Sequence, residues 1–193
     1  CKRFYDCLLE NDIDFFTGVP DSLLKDFCAY VTDNAEGKKN IIAANEGNAI
    51  AIASGYYLAT GKYGLVYMQN SGLGNTINPL TSLADKEVYS IPILLLIGWR
   101  AEPGVKDEPQ HAKMGKVTLK LLETIGIKHE ILNDNFEEII KKAKNHMRNE
   151  RSPFAIIVRK GLFDEYNLKN KKETNYELNR EDAIKLIVPL LDK

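Results

Sequence analysis

Cysteine is scarce in this chain of 193 residues, and what there is has no pattern. Cys1, Cys7 and Cys28 make neither a CxxC pair nor a metal-ligand spacing, which excludes a disulfide framework and points to a reducing compartment. Clusters of His and Cys are missing, so no metal ligand is expected within this chain. An excess of charge of one sign is also lacking. The formal net charge is −1, which provides no basic field for nucleic acid or an anionic membrane. No apolar run approaches a membrane span, and residues 1–12 hold no signal-peptide core, so a cytoplasmic location is expected. The nucleotide signatures are absent: no GxGxxG follows the first strand, and GxxxxGK(S/T) occurs nowhere. Ser71 lies in Asn-Ser-Gly rather than GxSxG, which removes the nucleophile elbow of a hydrolase.

What remains is an ordinary globular composition, 44% hydrophobic and 27% charged, with room for one good domain and a piece of a second. Helical and extended patterns alternate along it. Residues 2–11 read as helix and Asp14–Thr17 as a short strand. Pro20-Asp21-Ser22 opens a helix to about Val31, and Ile41–Ala44 is the second strand. Gly64–Gln69 is the third strand, followed by a helix over Leu73–Lys86. Ile91–Ile97 is continuous in hydrophobicity, the pattern of a parallel strand covered on both faces. Helix 114–125, strand 127–132, helix 135–149 and strand 154–159 complete the set. Such a series predicts an α/β fold: a doubly wound, six-stranded, mostly parallel sheet with helices on both faces. Beyond Lys160, residues 167–175 are polar and aperiodic and read as a linker, after which Asn179 caps a fresh amphipathic helix. A linker leading into a helix predicts that the chain continues into another domain.

One stretch stands apart. After Ile41–Ala44 the chain turns at Asn45-Glu46-Gly47 and enters a helix over 47–60 that meets no further charge until Lys62. A helix apolar all round is buried on all sides, and a sheet covers only one of them. The other side is expected to meet a second subunit. Gly47 and Gly55 cost helix stability and suggest a close backbone approach. Glu46 is a lone carboxylate at the head of this helix, either a helix-start acid favoured by the dipole or a buried acid with a task.

Ligands of open parallel sheets bind outside the carboxyl ends of the strands. There the sequence places Asp21 after strand one, Glu46 after strand two and Gln69-Asn70-Ser71-Gly72-Leu73-Gly74-Asn75 after strand three. The long loop from Gly98 to His111, carrying Arg100 and Lys106, follows strand four. Read singly, Asp21 is a helix cap, Asn70, Ser71 and Asn75 are turn residues, and His111 faces solvent. Their convergence on one rim favours a site.

Gly18-Val19-Pro20-Asp21-Ser22, Ala44-Asn45-Glu46-Gly47-Asn48-Ala49, Gln69–Asn75 and Arg100-Ala101-Glu102-Pro103-Gly104…Asp107-Glu108-Pro109-Gln110-His111 resemble, in order and spacing, the pyrimidine-binding domain of the phosphonopyruvate decarboxylase family of thiamine diphosphate enzymes. Sulfopyruvate decarboxylase is the near relative. The likeness covers residues 1 to about 160. It departs at Ala101, where glycine is expected, and in lacking the Gly-Asp-Gly motif that holds the diphosphate through Mg²⁺ in such enzymes.

The resemblance implies a pyrimidine-binding domain over 1–162, with 163–193 as linker and first helix of a following domain. It implies that Glu46 hydrogen-bonds a ring nitrogen of the aminopyrimidine and favours its imino tautomer, helped by a raised pKa on burial. Asp21 and His111 would handle protons as catalytic groups. Glu46, Gln69, Asn70, Ser71, Gly72 and Asn75 would bind thiamine diphosphate, while Mg²⁺ would be held by a diphosphate-binding domain or partner subunit in a homo-oligomer. Arg100 and Lys106, chosen by charge alone, would meet the substrate's anionic tail. The first reading is decarboxylation of phosphonopyruvate to phosphonoacetaldehyde and CO₂. The alternatives are a sulfopyruvate decarboxylase subunit and a non-catalytic binding module of the same fold.

Overall fold

The computed structural model describes residues 1–169 and 176–191. Its centre is a six-stranded sheet in the order β2-β1-β3-β4-β6-β5, and every neighbouring pair runs parallel. The strands are β1 (Ile13–Gly18), β2 (Asn40–Ile42), β3 (Tyr63–Gln69), β4 (Ile93–Gly98), β5 (Lys128–Ile131) and β6 (Phe154–Val158). The helices are α1 (Lys2–Glu10), α2 (Lys25–Asn34), α3 (Glu46–Thr60), α4 (Leu73–Pro79), α5 (Ala112–Thr124), α6 (Phe136–Glu150) and α7 (Arg180–Leu191). The expected doubly wound sheet is therefore present, and it is wholly parallel.

Alternation along the central strands creates two cores. Leu65, Tyr67, Leu94 and Leu96 point to one face and pack with Phe4, Leu8, Phe27, Ile140 and Met147 from α1, α2 and α6. Val66, Met68, Ile93, Leu95 and Ile97 point to the other and meet Ala49, Ile50, Ala53, Leu73 and Leu122 from α3, α4 and α5. A strand buried on both faces must be apolar at every position, which is why β4 reads as an unbroken run. Among the described residues, no helix is long and apolar enough to cross a membrane.

Two element boundaries differ from expectation. Helix α2 begins at Lys25 rather than at Pro20-Asp21-Ser22, because the Asp21 side chain accepts the Leu23 N–H (3.1 Å) and closes a turn of its own. Helix α4 ends at Pro79 and gives way to one wide π turn over Leu80–Ala84, since Pro79 has no N–H to continue the ladder. Within this chain helix α3 is covered on one side, as expected: Ala49, Ile50, Ala53 and Ser54 are buried, while Ala51, Gly55, Leu58 and Ala59, on the side expected to meet a second subunit, are exposed. At Gly47 the expected close approach is internal, since a Cβ there would stand 2.8 Å from the Asn75 carbonyl oxygen. At Gly55 nothing of this chain lies within 4 Å of such a Cβ.

The chain after β6 stays on the first core for some way. Phe163 stacks on Phe27 (centroids 5.3 Å apart), and Tyr166 donates its N–H to Asp26 and its hydroxyl to Asp33. Of the expected linker, residues 170–175 lie outside the described residues. Asn179 caps α7 as the sequence suggests, accepting the Asp182 N–H at 3.0 Å.

Candidate active site

The order of the strands reverses between β1 and β3: β2 lies on one side of β1, and β3, β4, β6 and β5 lie on the other. A reversal of this kind opens a crevice at the carboxyl ends of the two strands. Asp21 follows β1 and Gln69 ends β3, and they meet there: Gln69 Nε2 donates to Asp21 Oδ1 at 2.6 Å. Asp21 is 4% exposed, a buried carboxylate held by that amide and by the Leu23 N–H. It lies directly over β4, and a Cβ on Gly98 would stand 2.2 Å from Asp21 Oδ2. Ser71 Oγ donates to Gln69 Oε1 (2.5 Å), so the orientation of the Gln69 amide is fixed at both ends.

Glu46 forms a second cluster. Asn45 caps α3 by accepting the Asn48 N–H (2.9 Å), which leaves Glu46 as the first helical residue, where the dipole favours a negative charge. Its Oε2 accepts from Asn75 Nδ2 at 2.7 Å. Its carboxyl lies across Gly72, where a Cβ would be 2.4 Å from Oε1. Glu46 is half-buried rather than enclosed, so its expected full desolvation does not occur within this chain. Among the described residues, no hydrogen bond is made to Oε1.

The long loop after β4 is tied down by Arg100. Its Nε donates to Asp107 Oδ2 at 2.8 Å, its Nη2 pairs with Asp107 Oδ1, and its Nη1 donates to Ser22 Oγ at 2.9 Å. The guanidinium beside Asp107 holds that carboxyl well below the usual carboxylate range. Asp107 also accepts the N–H groups of Ala101 (2.8 Å) and Glu108 (2.7 Å). Ala101, the position where glycine was expected, adopts φ 53°, a left-handed conformation that an L-residue takes at a cost. Arg100, expected by its charge to meet substrate, thus has its fork engaged by Asp107 and Ser22.

Asn70, expected as a cofactor ligand, has its side chain engaged within the chain. It is fully buried, and its amide donates to the Arg100 carbonyl (3.0 Å) and Thr118 Oγ1 (2.9 Å) while accepting the Arg100 N–H (3.1 Å). Asn70 therefore fixes the stem of the loop. Lys106 is exposed and makes no ion pair among the described residues. His111 closes the turn Pro109–His111 ahead of α5, half-buried, with its N–H donating to the Glu108 carbonyl at 3.0 Å. Sequence reasoning missed Gly98, Asp107, Ser22 and Thr118 as parts of the site. Ser22 and Asp107 left a signal, as members of the motifs that carry the resemblance, and Asp107 is also an acid on the same loop as Arg100. No group of His, Cys, Asp and Glu among the described residues could hold a metal ion.

Of two hollows on the surface, one borders these residues and one does not. One of about 410 Å³ is lined by Asp21, Ser22, Lys25 and Cys28, beside the rim. The other, about 340 Å³ between the start of α1 and residues 132–136 and 162–164, contains none of the site residues and lies away from the chemistry.

Comparison with known proteins gives this rim its family. Residues 2–129 match the thiamine pyrophosphate enzyme, N-terminal TPP binding domain. The sulfopyruvate decarboxylase subunit alpha of Methanococcus maripaludis is 37% identical over 81% of this chain and 92% of its own length. The corresponding subunit of Methanocaldococcus jannaschii is 34% identical over 85% and 95%. The phosphonopyruvate decarboxylase of Streptomyces hygroscopicus is 40% identical over 75% of this chain, which spans only 36% of that protein. Among solved structures, a thiamine diphosphate-dependent 4-hydroxybenzoylformate decarboxylase from Rhodococcus jostii RHA1 shares the fold over 99% of this chain, with TM-score 0.59 and 18% identity. The chain belongs to the thiamine pyrophosphate enzymes, as their N-terminal, pyrimidine-binding domain. Within that family its class is the decarboxylases, the activity named for these relatives.

Proposed function

We propose that Glu46 and the Gln69–Asn75 turn hold the aminopyrimidine of thiamine diphosphate, in an enzyme that decarboxylates a three-carbon 2-oxo acid bearing a sulfonate or phosphonate. The observation that carries this reading is the setting of Glu46: one oxygen is fixed by Asn75, and the other lies over a glycine with no donor of its own among the described residues. Such a carboxyl is oriented and still able to take a hydrogen bond, which suits a protonated ring nitrogen. The residues present fit that ring through the Glu46 oxygen left open, while glycine at 72 and at 98 leaves room for the Glu46 and Asp21 carboxyls, with which a Cβ would collide. When bound, the cofactor supplies an electron-accepting thiazolium on which carbon dioxide can depart. Glu46 holds and shares the proton at the ring nitrogen. Asp21, kept in place by Gln69, and His111 on the facing loop hold and deliver the proton that replaces the lost carboxylate. The diphosphate and its Mg²⁺ would be held by a diphosphate-binding domain of the same protein or by a partner subunit.

Match along nearly the whole length of two sulfopyruvate decarboxylase alpha subunits favours sulfopyruvate as the substrate. The 40% identity to a phosphonopyruvate decarboxylase supports phosphonopyruvate as a second reading. Either tail is anionic, and Lys106 is the cation of the rim loop left without a protein partner among the described residues. The test is Glu46→Gln in the complete enzyme. Gln keeps the shape but cannot share a proton, so turnover should fall roughly a hundredfold or more while the circular dichroism of the fold stays unchanged. Thiazolium proton exchange at the wild-type rate in that variant would remove Glu46 from this role. Turnover of sulfopyruvate, phosphonopyruvate and pyruvate by the wild type then ranks the substrates.

A further inference from the structure

Arg100 and Asp107 form a bidentate ion pair on the rim, yet neither has a part in the chemistry above. Their surroundings show what they connect. Ser22, next to Asp21, accepts from Arg100 Nη1 at 2.9 Å. Arg100 grips Asp107 through two nitrogens. Asp107 accepts the Glu108 N–H at 2.7 Å, and the Glu108 carbonyl accepts the His111 N–H at 3.0 Å. An unbroken run of hydrogen bonds thus leads from the residue beside Asp21 to His111, across a loop with little regular structure of its own. The stem of that loop is fixed separately by Asn70, which bonds both backbone groups of Arg100 and the Thr118 hydroxyl. Asn70 is flanked by Gln69, the partner of Asp21.

The pair is built for holding rather than for binding a ligand. A bidentate guanidinium–carboxylate contact fixes orientation as well as distance. Its side chains are 18% and 13% exposed, so solvent screens the contact less than a surface pair. Asp107 has backbone donors on both oxygens besides the guanidinium, so it is saturated. It holds Ala101 in its left-handed conformation by accepting that residue's N–H, which gives the loop a sharp bend at its start. A substrate anion would have to displace Asp107 to reach Arg100.

We propose that Arg100 and Asp107 are positioning residues, an ionic brace that sets the separation of Asp21 and His111 across the active-site rim. The proposal rests on the assignment of Asp21 and His111 as the proton-handling pair. Misplacing a catalytic group by about an ångström costs up to roughly a hundredfold in rate without requiring loss of binding. The brace should therefore act on kcat and leave KM and cofactor affinity alone.

The experiment is a steady-state comparison of the holoenzyme with its Asp107→Asn, Arg100→Lys, Ser22→Ala and Asp107→Asn/Arg100→Lys variants, alongside Asp21→Asn and His111→Ala. Asp107→Asn should lower kcat roughly ten- to a hundredfold, with KM and thiamine diphosphate affinity within about twofold of wild type. Ser22→Ala, a mild cut at the other end, should lower kcat in the same direction by a smaller factor. The double variant should be no worse than the more damaged single one, since either change opens the same brace. Amide hydrogen exchange should rise in residues 101–111 and stay unchanged in β1, β3 and β4. A rise in KM for the sulfonate or phosphonate substrate with kcat preserved would overturn the proposal and return Arg100 to the substrate. Losses that multiply in the double variant would overturn it too, because the two residues would then act independently. Should Asp21→Asn and His111→Ala both keep full turnover, the proton-handling pair falls and the brace's role falls with it. Loss in those two with wild-type kcat in Asp107→Asn and Ser22→Ala would overturn the brace alone.

Discussion

Cys28 is a thiol in an apolar setting beneath Asp21, 8% exposed, and burial pushes it up to about 12. In an unfolded chain the same thiol loses its proton near pH 8.5. Because the folded value is the higher one, the unfolded state is the first to ionise and to gain from rising pH. The thiol's contribution to stability is whole below about pH 8.5 and declines as pH rises toward 12, by at most about 1.4 kcal/mol per pH unit. The melting temperature should therefore fall more steeply between about pH 9 and pH 11 in the wild type than in Cys28→Ala. Parallel curves would show that Cys28 ionises at the same pH in the folded and unfolded states. Side chains at this scale were unevenly legible. Asp21 and Glu46 could be read because each follows a strand, where ligands of such sheets gather. Arg100 was read as a substrate cation because charge is visible in a sequence and pairing across an irregular loop is not; Asp107 answers it without any helical or strand period to announce the contact. Gly98 was hidden for a related reason: a glycine ending an apolar strand looks like punctuation, and only the structure shows Asp21 lying where its side chain would be.

Among the elements, α3 has the most to say. Its inner face packs on the sheet, and its outer face shows Ala51, Gly55, Leu58 and Ala59 to solvent, with Leu58 64% exposed. Beside it Ile42, at the end of β2, is 63% exposed. An apolar surface of this kind marks an interaction site on a folded domain. Substituting Leu58→Lys should leave the fold intact and weaken assembly with the partner domain or subunit, seen as a shift to smaller species in sedimentation velocity. Unchanged assembly in that variant would mean that this face of α3 meets nothing. Element types and order were legible because the two periodicities of apolar residues survive in a sheet covered on both sides. Element ends were less so. The start of α2 and the end of α4 are decided by one side-chain hydrogen bond and one proline, and those act against the pattern around them.

At the scale of the molecule, the proposed pyrimidine site at the rim has no acid cluster for a metal-bound diphosphate beside it among the described residues. The chain by itself should therefore bind thiamine diphosphate weakly even with Mg²⁺ present, since charge on the diphosphate supplies much of the affinity in such sites. Calorimetric titration of the isolated chain decides it, and tight one-to-one binding would show that a diphosphate site exists here after all. Strand order belongs to this scale and was not legible: nothing in the periodicity says that β6 inserts between β4 and β5. That order has a consequence for how copies and partners can meet. The sheet ends on β2 and β5, spanning Asn40–Ile42 and Lys128–Ile131, the two shortest strands in it. Short edges offer few free backbone groups for strand addition, and on β5 charged Lys128 and Glu130 flank His129. The sheet cannot readily be extended into a larger one or templated into a fibril, so growth of the assembly is left to side-chain surfaces, where fit can be specific and the stoichiometry can close.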